Sequence, residues 1–162
     1  MKRTLMLSLA SLVISMFALA QDFKTFENEA FSIGYPSDWA VTWYGDTYVN
    51  IVNDDGDGDI RFDVTFNDEG PMKSQLQACV DNWVYMKESG GHKVDQKMVK
   101  EDYALVRSIE TDEDDGTQSV EVWFLMISLE PECFTGSMKC PFEKANEALD
   151  ILVNMIATLS PR

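Results

Sequence analysis

The sequence predicts a single α+β domain, a central and mainly antiparallel sheet covered by two helices. Three observations predict it. Short segments of alternating apolar and polar residues recur, separated by turn residues, as strands joined by hairpins do. Two segments, one from Met72 and one from Phe142, switch to helical spacing. One segment, Ser119 to Leu129, is apolar at successive positions, which suits a central strand covered on both sides.

The chain begins with a segment outside this pattern. Lys2 and Arg3 precede a mostly apolar run from Leu5 to Phe17, and Ala18-Leu19-Ala20 follows. A positive start, a short apolar stretch and small residues at the cut make a secretory signal. The run is shorter than the roughly 20 residues a membrane span requires. No cysteine follows the cut to carry a lipid. Residues 1–20 are expected to be removed near Ala20, leaving residues 21–162 as one periplasmic or secreted domain without a membrane span.

Cleavage takes Lys2 and Arg3 from the 13 basic residues, leaving 11 against 28 acidic ones and a net charge of −17. Such a surface repels phosphate backbones and anionic lipid, so nucleic acid is excluded as a partner. Cations or a basic protein surface suit it. Charge that only keeps the protein soluble is the alternative.

Phe23 to Asn28 reads as a first strand, and Glu29-Ala30 as its turn. Phe31, Ile33 and Tyr35 then alternate with small residues until Pro36, which has no N–H to donate. Trp39 follows as an apolar plug beneath the sheet. Trp39 to Tyr44 is irregular or strand-like, ending at Gly45-Asp46. Thr47 to Asn53 is a β-branched strand, and Asp54 to Asp59 a turn. From Ile60 to Phe66, Ile60, Phe62, Val64 and Phe66 face inward while Arg61, Asp63 and Thr65 face water.

Asn67 to Pro71 signals a helix start. Met72, Leu76, Cys79, Val80, Trp83 and Met86 form its apolar stripe, and Gly90-Gly91 stops it. Val94 to Glu101 and Tyr103 to Glu110 read as paired strands, with Asp112 to Gly116 as the next turn. In the long strand, Val120, Val122, Phe124 and Met126 point one way; Trp123, Leu125, Ile127 and Leu129 point the other. A helix from Phe142 to Leu159 carries Ala145, Leu149, Leu152, Ile156 and Leu159 on one stripe, and Ser160-Pro161 ends it.

The phrase Phe31-Ser32-Ile33-Gly34-Tyr35-Pro36, with Trp39 three residues on, resembles the opening of PsbP-like proteins. The resemblance implies an α/β/α sandwich, shared with a nuclear Ran-release factor and bacterial envelope proteins. In the photosynthetic members it implies a non-catalytic accessory that docks on a larger complex and helps retain Ca²⁺ and Cl⁻. No site residue of theirs can be matched here. One fold hosts many activities, so the resemblance implies a docking protein and leaves the partner open.

Asn53, Asp55 and Asp57 place oxygen ligands at alternate positions, followed by Gly58, Asp59 and an apolar Ile60. That is the first part of a calcium loop. The twelfth position is Val64, not a bidentate Glu, and a strand follows, so a full EF-hand is ruled out. A weak Ca²⁺ site from Asn53, Asp55, Asp57 and Asp59 remains, beside the alternative that Asp and Gly simply build a hairpin turn. Counting strand directions puts this turn and Asp112-Glu113-Asp114-Asp115 at the same end of the sheet. There Asp54, Asp112, Asp114 and Asp115 would extend one acidic rim toward a cation or basic partner.

Cys133 and Cys140 enclose six residues in a predicted loop and read as a disulfide in an exported protein. Cys79, on the helix stripe, reads as a buried inert thiol. Without a Cys-x-x-Cys pair, thiol oxidoreductase chemistry has no support. His92 is the single histidine, so neither a histidine zinc site nor a Ser-His-Asp triad has a second imidazole to draw on. Acid pairs such as Glu27/Glu29 or Asp81/Glu88 would serve a hydrolase only in a deep pocket that perturbs them. Trp43, Tyr44 and Tyr48 either stack on a ligand or cover a strand surface.

Overall fold

The computed structural model describes residues 22–53 and 60–162. Two sheets form. The smaller has the order β1 (Phe23–Glu27), β2 (Phe31–Pro36), β10 (Ser160–Pro161). The larger is antiparallel throughout, in the order β3 (Ala40–Tyr44), β4 (Tyr48–Val52), β5 (Arg61–Asn67), β9 (Glu132–Pro141), β8 (Gln118–Leu129), β7 (Tyr103–Thr111), β6 (Lys93–Val99). Helix α1 (Leu76–Ser89) joins β5 to β6, and α2 (Ala145–Ile156) follows β9.

Side-chain alternation assigns the layers. On one face α1 packs on β6 and β7, burying Leu76 and Val80 with Ala104, Val106, Leu125, Ile127 and Cys133. The other face holds the larger core. Phe62, Val64, Leu105, Val122, Phe124 and Phe134 meet Ala148, Leu152 and Met155 of α2 and Phe31 and Ile33 of β2. Full burial of such side chains contributes about 1.5–3 kcal/mol each. The two-sided apolar pattern of β8 is thus explained, since each parity enters a different core. This is the α/β/α sandwich, with the β1–β2–β10 sheet sharing the α2 layer.

The Phe31–Trp39 phrase serves that layer. Phe31 and Ile33 are fully buried, and Trp39 is buried beside them. The Gly34 N–H donates to Thr158 Oγ1 at 2.7 Å, and the Thr158 hydroxyl donates to the Met155 carbonyl at 2.7 Å. The strand is thereby tied to the end of α2.

Four expectations are corrected. Glu132–Pro141 is a strand in the middle of the main sheet, not a loop. Ser160-Pro161 does more than end α2, because it pairs with β2 at Ser32 and Phe31. α1 begins at Leu76 after a 3₁₀ turn at Lys73–Gln75, which leaves Met72 outside it and exposed; Met86 is exposed as well. Leu129 is also exposed, at the far end of β8.

Candidate functional site

Register fixes which connections share an end of the sheet. Arg61 pairs with Lys139, Lys139 with Glu121, and Glu121 with Ser108. The start of β5 therefore lies beside the ends of β9 and β7 and the start of β8. The β4–β5 and β7–β8 connections both leave the sheet there. At the base of the first, the Asn53 N–H donates to the Ile60 carbonyl at 3.0 Å. Asp54, Asp55, Asp57 and Asp59 lie outside the described residues. Of the candidate calcium ligands only Asn53 is described, buried just past the end of β4.

The second acidic bend is built by its own carboxylates. The Asp114 N–H donates to Asp112 Oδ1 and the Thr117 N–H to Asp115 Oδ1, each at 2.8 Å, and Gly116 supplies a φ of 75°. Hydrogen bonds from Thr117 hold the Asp115 carboxyl below its ordinary range. This end also carries cations. Lys139 Nζ lies 2.8 Å from Glu110 Oε2, and that hydrogen bond holds the Glu110 carboxyl below its ordinary range. With Arg61 on the adjacent strand, basic groups interrupt the acidic rim.

The cysteine pair is a correction. Cys133 and Cys140 are seven residues apart on β9, about 23 Å along an extended chain. An odd spacing also turns them to opposite faces, Cys133 into the α1 core and Cys140 into the α2 core. A disulfide needs Cα atoms within about 7 Å, so these two remain thiols. Burial pushes the Cys133 thiol up and takes Cys140 to about 11. Cys79 is a free, half-buried thiol against the α1 core.

A second region was not anticipated. α1 packs on β6 and β7 and covers β9 only at its Cys133 end, so a groove is left beside it on that face of the sheet. One row across the strands there runs Thr42, Asn50, Asp63, Ser137, Trp123. Asp63 Oδ1 accepts from the Tyr48 hydroxyl and, at 2.8 Å, from Asn50 Nδ2. Burial first, and then the bond to Asp63, pushes the Tyr48 phenol up to about 12. Asp63, Thr65, Thr135 and Ser137 line a groove of about 280 Å³ walled by Trp83 and Trp123. Its far wall is held by Lys87, paired with Glu121 and 3.9 Å from the centre of the Trp123 ring. The polar residues of β9 could have been found from the sequence, because Thr135, Ser137 and Lys139 alternate with Phe134 and Met138.

His92 is half-buried in the turn after α1, where Gly91 takes a φ of 82°. Trp43 and Tyr44 are among the most exposed large side chains of the described residues, at 59% and 68%.

No protein-family profile matches the chain, and no curated protein matches it. Solved structures do. The Saccharomyces cerevisiae Ran-binding protein Mog1p matches with a TM-score of 0.60 at 15% identity, over 87% of this chain and 96% of that one. Cyanobacterial PsbP (CyanoP) from Synechocystis sp. PCC 6803 matches with a TM-score of 0.59 at 10% identity, over 91% and 96%. A Bacteroides thetaiotaomicron structure matches with a TM-score of 0.50 at 20% identity, covering 82% of this chain but only 45% of its own. The chain thus spans less than half of that protein. At these identities the likeness establishes the fold, and it is the PsbP/Mog1 fold that the Phe31–Trp39 phrase indicated.

Proposed function

We propose that this chain is an exported, non-enzymatic accessory protein that docks on a basic surface of a protein partner through the acidic end of its main sheet. The observation that carries the reading is the strand register, which brings the β4–β5 and β7–β8 connections out at one end. With 28 acidic residues against 13 basic ones, long-range attraction favours a cationic partner. The neighbour Mog1p is by name a Ran-binding protein, so this fold can present a protein-docking surface. Lys2, Arg3 and the apolar run after them support export.

The test uses residues 21–162 immobilised against an envelope extract of the source cells. Glu113→Lys with Asp114→Lys reverses charge while sparing the two carboxylates that build the bend. A partner retained by the native chain should be lost from this variant and eluted by salt. Equal, salt-insensitive capture by both would overturn the reading. Export is checked separately: protein recovered from the envelope should begin near Gln21, and a cytoplasmic chain starting at Met1 would refute it.

A further inference from the structure

The two outer strands of the main sheet are finished differently. β6 carries exposed Lys93 and Lys97, and its ladder with β7 is interrupted at Val94/Gln96. Charge and a bulge are how an edge is kept from accepting another strand. β3, with the sequence Ala-Val-Thr-Trp-Tyr, has no charge, no proline and an uninterrupted register with β4 from Ala40↔Val52 to Tyr44↔Tyr48. Among the described residues no strand pairs with its outer side. Every second residue of such an edge directs an N–H and a C=O outward.

The side chains flanking this edge form a grip. Successive residues point to opposite faces, so Trp43 stands on one side of the sheet and Tyr44 on the other. Trp43 is backed by Phe26, with ring centres 5.7 Å apart, and Tyr44 by Tyr48 at 5.9 Å. Both remain more than half exposed. An added strand would lie between two supported aromatic side chains.

Building on the docking reading, we propose that β3 receives an extended segment of the partner as an additional strand, and that this segment is basic. Charge selects the occupant. Asp38 precedes β3 and Asp46 follows it. Antiparallel self-pairing centred on Thr42 would set Asp38 of one copy beside Asp46 of the other at both ends of the new ladder, between two molecules that are each strongly acidic. A second copy is thereby disfavoured, and a strand with Lys or Arg at its ends is favoured. Lys24, which donates to the Ser37 carbonyl at 2.7 Å, offsets part of the charge at the Ala40 end. The basic residue therefore matters most beside Asp46. Main-chain bonds supply affinity in this mode, and the flanking side chains supply selectivity.

The probe is the synthetic peptide Lys-Val-Thr-Val-Thr-Val-Lys, compared with the same peptide bearing Glu at both ends. With residues 21–162, the Lys peptide should slow amide exchange at residues 40–44 and bind at least tenfold more tightly than the Glu peptide. Trp43→Ala with Tyr44→Ala should weaken it at least tenfold, and Thr42→Lys, an exposed gatekeeper that leaves the core intact, should abolish the protection. No protection at 40–44, equal binding of the two peptides, or concentration-dependent dimerisation removed by Thr42→Lys would overturn the proposal. Capture of the partner by Thr42→Lys but not by the Glu113/Asp114 reversal would also overturn it, while leaving the docking reading intact.

Discussion

The Lys87 ammonium sits 3.9 Å from the centre of the Trp123 ring and pairs with Glu121, which also accepts the Trp123 indole N–H at 2.8 Å. Three groups from α1 and β8 thus satisfy one another, with Lys87 only 5% exposed. A buried lysine costs stability unless it is paired, and here the carboxylate and the ring face share that task. The triad pins the last turn of α1 to the sheet and forms one wall of the polar groove.

Removing one member should therefore cost more than removing the charge pair. Lys87→Met keeps the stem over the ring but strands a half-buried Glu121, and we expect a loss of about 2 kcal/mol in urea unfolding. Lys87→Met with Glu121→Gln should recover at least half of that loss. An equal loss in both proteins would mean that packing, not pairing, explains the effect.

Gly136 is a packing requirement of β9. A Cβ there would overlap the Asp63 carbonyl and lie 2.6 Å from Phe124 Cε1. Phe124 stacks on Phe62 with centres 5.5 Å apart and planes 3° from parallel, so the ring has nowhere to move. Gly136→Ala should destabilise by about 3 kcal/mol or prevent folding. A melting temperature unchanged within a degree would show that the sheet spreads to admit a methyl group.

This glycine also explains where the sequence misled. Periodicity was sufficient for β5 and β8, whose core parities are filled by Phe62 and Val64 and by Val122 and Phe124. β9 has Gly136 where the alternation calls for an apolar side chain, since Phe124 fills that space from the next strand. Cysteines at both ends of the segment then suggested a closed loop. Read as a loop, the segment hides its own alternation of Thr135, Ser137 and Lys139 with Phe134 and Met138, so Asp63 and Thr65 read as a solvent face and the groove goes unassembled. The shared end of the two acidic connections could be counted from strand directions alone. Lys139 enters that end only once the Glu132–Pro141 segment is read as a strand and paired with Arg61.

The cysteines give a chemical test of the same correction. Denatured protein should titrate three free thiols. In the native state Cys133 and Cys140 should react far more slowly, since both are about 1% exposed and burial disfavours their thiolates. A reducing agent should leave the melting temperature unchanged. A drop on reduction would restore a disulfide and contradict the placement of β9.

Tyr48 links the groove to pH. Its proton is held more tightly in the folded chain, at about 12, than in the unfolded chain, at about 10. The resulting stabilisation is complete below pH 10 and is lost as pH rises toward 12. Phenolate absorbance should show a late step near 12, and Tyr48→Phe should remove it. Absence of that late step would contradict both the burial of Tyr48 and its bond to Asp63.

The residue at the twelfth position separates the β4–β5 connection from a full EF-hand loop. In a calcium loop begun at Asn53, that position must supply two oxygens. Here it is Val64, fully buried in β5 against the α2 core, where no oxygen could replace its side chain without opening the sheet. At the foot of the connection the Asn53 N–H donates to the Ile60 carbonyl. Without that bidentate ligand, millimolar Ca²⁺ is expected to shift the melting temperature no more than Mg²⁺ does, the shift from both then being screening of the acidic end. A rise of several degrees specific to Ca²⁺, lost in Asp55→Asn with Asp57→Asn, would place a cation there and make the acidic bend a metal loop before it is a docking surface.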